Sequence, residues 1–163
     1  MPKIKNFTCK IVSTNQEADE LAAEGFEFRS QVTGATEKLD KGAVALCIFV
    51  EKELGHICWF AFTEEAKKMV DLLPYKVDFA NNEACVGGAW TSQEYRRIGL
   101  NKYRSFKDSQ FLTNRGIVTA RYSIASTNIA SQRSLDKFTN KKYAEARYLR
   151  ILGWKSWKEK PLT

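Results

Sequence analysis

The stretch Glu83-Ala84-Cys85-Val86-Gly87-Gly88-Ala89-Trp90-Thr91-Ser92-Gln93-Glu94-Tyr95-Arg96-Arg97-Ile98-Gly99-Leu100 decides the reading of this chain. Its first half reads as a strand, interrupted by Gly87-Gly88, a pair that weakens a strand and marks a bulge or the close approach of another group. Its second half is a charged, glycine-containing turn that opens a helix running to about Asn114. The first amides of a helix have no partner within it and point outward, and the helix dipole adds partial positive charge, so a pyrophosphate fits there. Gly99 lets the backbone come close to a phosphate with no Cβ in the way. By itself, Arg-x-x-Gly is more simply a strand-to-helix turn carrying solvated arginines. Phosphate loops of other classes fit worse, because neither G-x-x-x-x-G-K-S/T nor G-x-G-x-x-G occurs in the chain.

Working back from this stretch, residues 43–51 are apolar at nearly every position and read as a strand covered on both faces. Residues 52–55 supply turn chemistry, and 56–62 form the second arm of a hairpin. Thr63 followed by two glutamates opens a short helix that must end before Pro74. Residues 75–79 read as a further strand. Nearer the start, Phe7–Val12 is a short strand, and Thr14-Asn15-Gln16-Glu17 has the Thr-x-x-Glu form of a capping box for a helix ending at Gly25. Residues 26–41 carry a second short helix or a loop. Working forward, 117–125 is a strand, Ser126-Thr127-Asn128 caps a helix over 129–139, and 143–152 is a last strand. Strand, turn, helix, strand, helix, strand is the order of an α/β sheet with crossover helices.

At 163 residues, 44% hydrophobic and 28% charged, the chain has the size and composition of one globular domain. Its longest apolar runs are far shorter than the roughly 20 residues of a membrane span, and its start lacks a secretory apolar segment, so a cytoplasmic protein is expected. Cys9, Cys47, Cys58 and Cys85 show no C-x-x-C spacing, and there is one histidine, His56. This argues for buried reduced thiols rather than zinc ligands, with Cys47 and Cys58 approaching across the hairpin. His56 is read as structural or simply exposed. Charge is uneven: residues 1–95 carry 10 Lys+Arg against 15 Asp+Glu, and 96–163 carry 16 against 4, net −5 and +12. A basic half suggests a polyanionic partner: nucleic acid, an acidic membrane surface or a phosphate-rich cofactor.

The decisive stretch resembles the core motif of the GNAT superfamily of N-acetyltransferases, in which a strand leads into Arg/Gln-x-x-Gly-x-Gly/Ala, often after an aromatic. Tyr95, Arg96 and Gly99 match, and Asn101 stands where the family prefers Gly or Ala. Asn128-Ile129-Ala130-Ser131 resembles the family's Asn followed three residues later by Ser or Ala, and element order agrees over roughly residues 43–138. The resemblance implies a mixed central β-sheet, flanked by helices and splayed where acetyl-CoA binds. It implies that Trp90, Thr91, Arg96, Arg97, Ile98, Gly99, Leu100, Asn101, Asn128 and Ser131 border coenzyme A. Pantetheine amides would pair with exposed strand backbone, and amides near Trp90 or Thr91 would polarise the thioester carbonyl.

An amine nucleophile also needs a base, and Glu83, on the strand that leads to the motif, is the first candidate, directly or through water, with Asp78 second. Either also reads as a solvated acid at a hairpin end. The family's tyrosine that protonates the leaving thiolate is replaced by Leu135, for which Tyr143, Tyr103 or water would substitute.

Three functional classes follow. The first is an acetyl-CoA-dependent N-acetyltransferase acting on an amine of a small molecule or amino-sugar, with residues 26–41 and 63–82 bordering the acceptor. The second is a CoA-binding protein of this fold without catalysis. The third is a basic nucleic-acid-binding protein, for which no nucleic-acid-reading motif is present. Monomer and homodimer both remain open.

Overall fold

A computed structural model describes residues 5–135 and 140–162. Five strands form one sheet in sequence order: β1 (Phe7–Val12), β2 (Val44–Val50), β3 (Glu53–Ala61), β4 (Glu83–Thr91) and β5 (Thr119–Arg121). The first three pairings are antiparallel and β4–β5 is parallel, so the sheet is mixed. Its helices are α1 (Asn15–Ala23), α2 (Ala35–Asp40), α3 (Glu64–Val70) and α4 (Leu100–Asn114). Main-chain contacts place all of these in one compact unit. A second unit contains α5 (Ile129–Leu135) and a hairpin of β6 (Ala144–Ile151) and β7 (Trp154–Pro161), in which Tyr148 pairs with Trp157.

The centre of the sheet is apolar on both faces because both are covered. Every residue of β2 is buried, as are all of β3 after Glu53. Val44, Leu46 and Ile48 share one face with Cys58, Phe60, Ala84 and Val86, and Leu100 and Leu112 of α4 pack onto it. On the other face Trp59 meets Phe28, and Phe49 meets Phe26. Each large side chain removed from water here contributes roughly 1.5–3 kcal/mol.

Local chemistry sets the element ends. The Thr14 hydroxyl accepts from Glu17 N at 3.1 Å, while the Glu17 carboxylate reaches Ser13 N, one residue before the expected box partner. The Thr63 hydroxyl accepts from Ala66 N at 3.2 Å and starts α3. The β2–β3 loop is only Glu51-Lys52, with Glu51 left-handed, so β3 begins three residues earlier than expected.

Residues 75–79 form no strand. The Asp78 carboxylate accepts from Asn81 N and Nδ2, folding this segment into a single-turn helix, Phe79–Asn81, that delivers the chain directly into β4. β5 has three residues rather than nine, because β4 diverges from it beyond Cys85. Residues 26–41 hold a single turn, Arg29–Gln31, and α2. The expected end of α5, at 136–139, lies outside the described residues. Cys47 and Cys58 sit on opposite faces, since Cys58 pairs with Leu46 rather than Cys47. All four cysteines are free thiols.

Candidate functional site

The site grows from an irregularity in β4. Trp59 pairs with Gly87 and Ile57 with Trp90, so Gly88 and Ala89 together oppose the single residue Cys58. This is a bulge, and Gly88 takes the positive φ (57°) that it demands. A Cβ at Gly88 would lie 3.0 Å from Trp59 Cδ1, so a larger residue there is strained in its backbone and tight against the Trp59 ring. β4 pairs with β5 only through Glu83, Ala84 and Cys85. Past that point the outer side of β4 has no strand partner among the described residues, and Gly88, Ala89 and Trp90 are exposed.

From Thr91 the chain turns through a single-turn helix, Gln93–Tyr95, whose last residue is tied down by Tyr95 Oη donating to Glu53 Oε2 at 2.7 Å. That bond raises the Tyr95 pKa to about 12. Arg97 is left-handed (φ 65°), and Gly99, the residue before α4, is left-handed too (φ 95°). Gly99 offers no side chain to cap the helix. Arg96 and Arg97 are exposed beside this turn, and Arg96 Nε donates to Thr91 O at 3.4 Å. Left-handed residues in a turn aim successive N–H groups into a concavity that suits anions. A non-glycine left-handed residue costs about 1–3 kcal/mol, and such strain concentrates at ligand-binding turns. Exposed turn amides beside two arginines suit an anionic group, and an exposed strand edge suits the amides of an extended chain.

The other expected residues divide by location. Trp90 and Thr91 end β4; Ile98 and Leu100 turn their side chains into the core, leaving only their amides for a ligand. Asn101 lies in the first turn of α4. Asn128 and Ser131 belong to the second unit, where Asn128 Oδ1 accepts from Ser131 N at 3.1 Å and caps α5. Tyr143 also lies there, its carbonyl accepting from Leu162 N.

Glu83 is not a free carboxylate. Arg121 grips it from β5, Nε to Oε2 at 2.5 Å and Nη2 to Oε1 at 2.6 Å, and Asp78 N donates to Oε2 at 2.8 Å. The Arg121 guanidinium holds its pKa below the usual carboxylate value, against a smaller opposing effect of burial. Both oxygens are occupied and the group is a weaker base than an ordinary glutamate, so this geometry makes Glu83 a latch between β4 and β5. Asp78 caps the turn that precedes β4, and Gly88 of the bulge lies five residues, or about 16 Å, further along that strand from Glu83. Tyr103 packs edge-on against Phe7 in β1, three strands or about 14 Å across the sheet from β4.

Sequence reading missed three groups. Tyr122 is the first residue beyond the paired part of β5 and is half-buried; burial raises its pKa above the ordinary phenol value, against a smaller opposing effect of the Arg104 charge. Arg104 and Asp108 break the apolar stripe Leu100, Arg104, Asp108, Leu112, with which α4 faces the sheet. They pair at 3.0 Å (Nη1 to Oδ2), and the Cys58 thiol donates to Asp108 Oδ1 at 3.6 Å. Burial lifts the Asp108 pKa to about 6 despite Arg104. Third, His56 is buried and its Nδ1 lies 2.7 Å from Thr91 Oγ1. The i, i+4, i+8, i+12 spacing of the α4 stripe was the available signal for the ion pair; nothing local in the sequence marks the His56–Thr91 pair.

A five-strand mixed sheet flanked by helices, splayed beyond the start of its fourth strand and running into an arginine turn and helix, defines the GNAT class of fold. Solved structures that share it include the following three. Aminoglycoside N-acetyltransferase AAC(6')-Iy, in complex with CoA, superposes with a TM-score of 0.61 at 13% identity, covering 88% of this chain and 98% of its own. Aminoglycoside antibiotic 6'-N-acetyltransferase AAC(6')-Ih from Acinetobacter baumannii gives 0.58 at 11%, covering 89% and 97%. A ribosomal-protein-alanine N-acetyltransferase from Brucella melitensis biovar Abortus 2308 gives 0.58 at 13%, covering 89% and 99%. No family model matches the chain, and no curated protein matches it in sequence. The chain has the GNAT fold.

Proposed function

We propose that this protein is an N-acetyltransferase that takes its acetyl group from acetyl-CoA and delivers it to a primary amine, most naturally that of an amino-sugar. The observation that carries this reading is the continuous run from the bulged edge of β4, without a strand partner among the described residues, into the uncapped start of α4, flanked by Arg96 and Arg97. Supporting it, AAC(6')-Iy was crystallised with CoA, and both it and AAC(6')-Ih are named for aminoglycosides. Amides of the turn and of 98–101 hold the phosphates, and Trp90 and Thr91 border the thioester. Glu83 and Arg121 keep β4 and β5 joined at the base of the splay. Tyr122, protonated and just beyond the last pair, donates the proton that the leaving thiolate takes up, in place of the tyrosine replaced by Leu135. With Glu83 engaged, the amine enters in its neutral form and loses its proton to water.

No described helix is long and apolar enough to cross a membrane. Four free thiols support a reducing, cytoplasmic setting.

The test is thiol release from acetyl-CoA with aminoglycosides, free amino-sugars and peptides with an N-terminal alanine. Release with an amino-sugar and not with buffer supports the reading. Binding of CoA with no release for any amine moves the protein to the binding-only class, which the occupied Glu83 favours. No CoA binding, with polynucleotide binding that falls steeply with salt, overturns both.

A further inference from the structure

Beneath the end of β4 lies a buried polar chain that the proposed function has not used. His56 is 1% exposed and sits directly across from Thr91 in the β3–β4 register, with side chains on the face covered by α4. Its Nδ1 is taken by Thr91 Oγ1, and its Nε2 has no hydrogen-bond partner among the described residues; the same is true of Arg104 Nε. Burial, with a smaller contribution from the Arg104 charge, pushes the imidazole pKa down to about 3, so the ring is neutral near pH 7.

A neutral imidazole carries one N–H, and two tautomers compete. With the hydrogen on Nε2, an unsatisfied donor would be buried near a guanidinium cation. With the hydrogen on Nδ1, it is given to Thr91 Oγ1, and Nε2 keeps a lone pair that the Arg104 charge stabilises. Electrostatics therefore choose the Nδ1–H form, and Arg104 is itself held in place by Asp108 and by Ser105 Oγ, at 3.4 Å from Nη2.

We propose that His56 is a positioning residue for ligand binding at Thr91. It donates Nδ1–H to Oγ1, which fixes the threonine rotamer and leaves the hydroxyl hydrogen to be presented outward, to a carbonyl or phosphate oxygen of the acyl-CoA at the end of β4. Thr91 is half-buried, between the exposed Trp90 and the anion-binding turn, where such an oxygen would pass. The inference rests on the CoA reading above and adds a polarity to it: Thr91 acts as donor, and His56 and Arg104 make it one.

Calorimetric titration of CoA into wild type, Thr91→Val, His56→Leu, His56→Asn and the Thr91→Val/His56→Leu double variant tests this. Thr91→Val weakens CoA about tenfold, as expected for one lost hydrogen bond. His56→Leu weakens it by a similar factor, but adds nothing in the Thr91→Val background. His56→Asn, whose amide nitrogen can stand where Nδ1 stood, stays within about twofold of wild type. Nitrogen-15 NMR of the imidazole in wild type reads the tautomer directly and needs no ligand.

Wild type binding CoA while His56→Leu binds equally well overturns the role of His56 and leaves the CoA reading intact. Independent, multiplying effects in the double variant, or an Nε2–H tautomer, overturn it likewise. Failure of wild type to bind CoA overturns both readings. If His56→Leu does not fold, the Thr91→Val and His56→Asn affinities together with the tautomer decide.

Discussion

Replacing Gly99 separates backbone strain from ligand binding. Gly99 holds φ 95° at the start of α4, a conformation in which an L-residue costs roughly 1–2 kcal/mol. For a chain of this length 1 kcal/mol moves Tm by about 2–4 °C, so Gly99→Ala should melt some 2–8 °C below wild type. Gly99→Glu pays the same backbone strain and adds a carboxylate where the phosphates would sit. At 100 times its Kd, CoA stabilises wild type by about 2.7 kcal/mol, a rise of about 5–11 °C. Differential scanning fluorimetry with and without CoA should show that rise largely kept in Gly99→Ala and abolished in Gly99→Glu, both from lowered baselines. A full CoA-induced rise in Gly99→Glu would refute the placement of the phosphates at this turn.

Three further outcomes follow from the geometry. Glu83→Gln loses the doubly bonded pair with Arg121 and should lower Tm by about 4–8 °C, for about 2 kcal/mol, while changing kcat less than the 10²–10⁴-fold of a lost base. Because folding lowers the Glu83 pKa, its contribution is complete above the ordinary value and is lost as pH falls through the depressed one. The Tm gap to Glu83→Gln is therefore full at pH 7 and closes below about pH 4; a gap constant down to pH 3 would contradict the latch. Asp108→Leu strands the buried Arg104 charge and should cost about 3–5 kcal/mol in urea denaturation, whereas Arg104→Met/Asp108→Leu recovers most of it; equal losses would show that the pair is not coupled. Gly88→Ala should cost about 1–2 kcal/mol from its left-handed backbone and weaken CoA as the bulge shifts, and an unmoved urea midpoint would rule out the strain.

Features governed by near neighbours in the chain were legible in the sequence. Thr14 and Thr63 announced their helices, continuous apolarity announced β2, and Gly87-Gly88 announced the bulge. What depended on distant partners was not. Residues 75–79 carry strand-like composition, yet Asp78 caps a turn at Asn81 and no described strand pairs with them. The length of β5 is set by where β4 bends away, 33 residues or more earlier in the chain. Arg121 lies 38 residues from the carboxylate it bonds, so nothing near Glu83 in the chain announces their pairing. His56 sits opposite Thr91 only because the β3–β4 register, with its bulge, puts it there.

The open edge of β4 also has a colloidal side. Strand backbone without a neighbour is a template on which another copy of the same segment can lay itself down, and here it is flanked by exposed Ala89 and Trp90 rather than by gatekeeping lysines. The kink at Gly88 makes that edge a poor match for a straight strand, which restrains such pairing while leaving the edge exposed. A bound acyl-CoA would occupy the same groups. The ligand-free protein should accordingly be the form that clouds first on concentration or gentle warming, and straightening the bulge should hasten it.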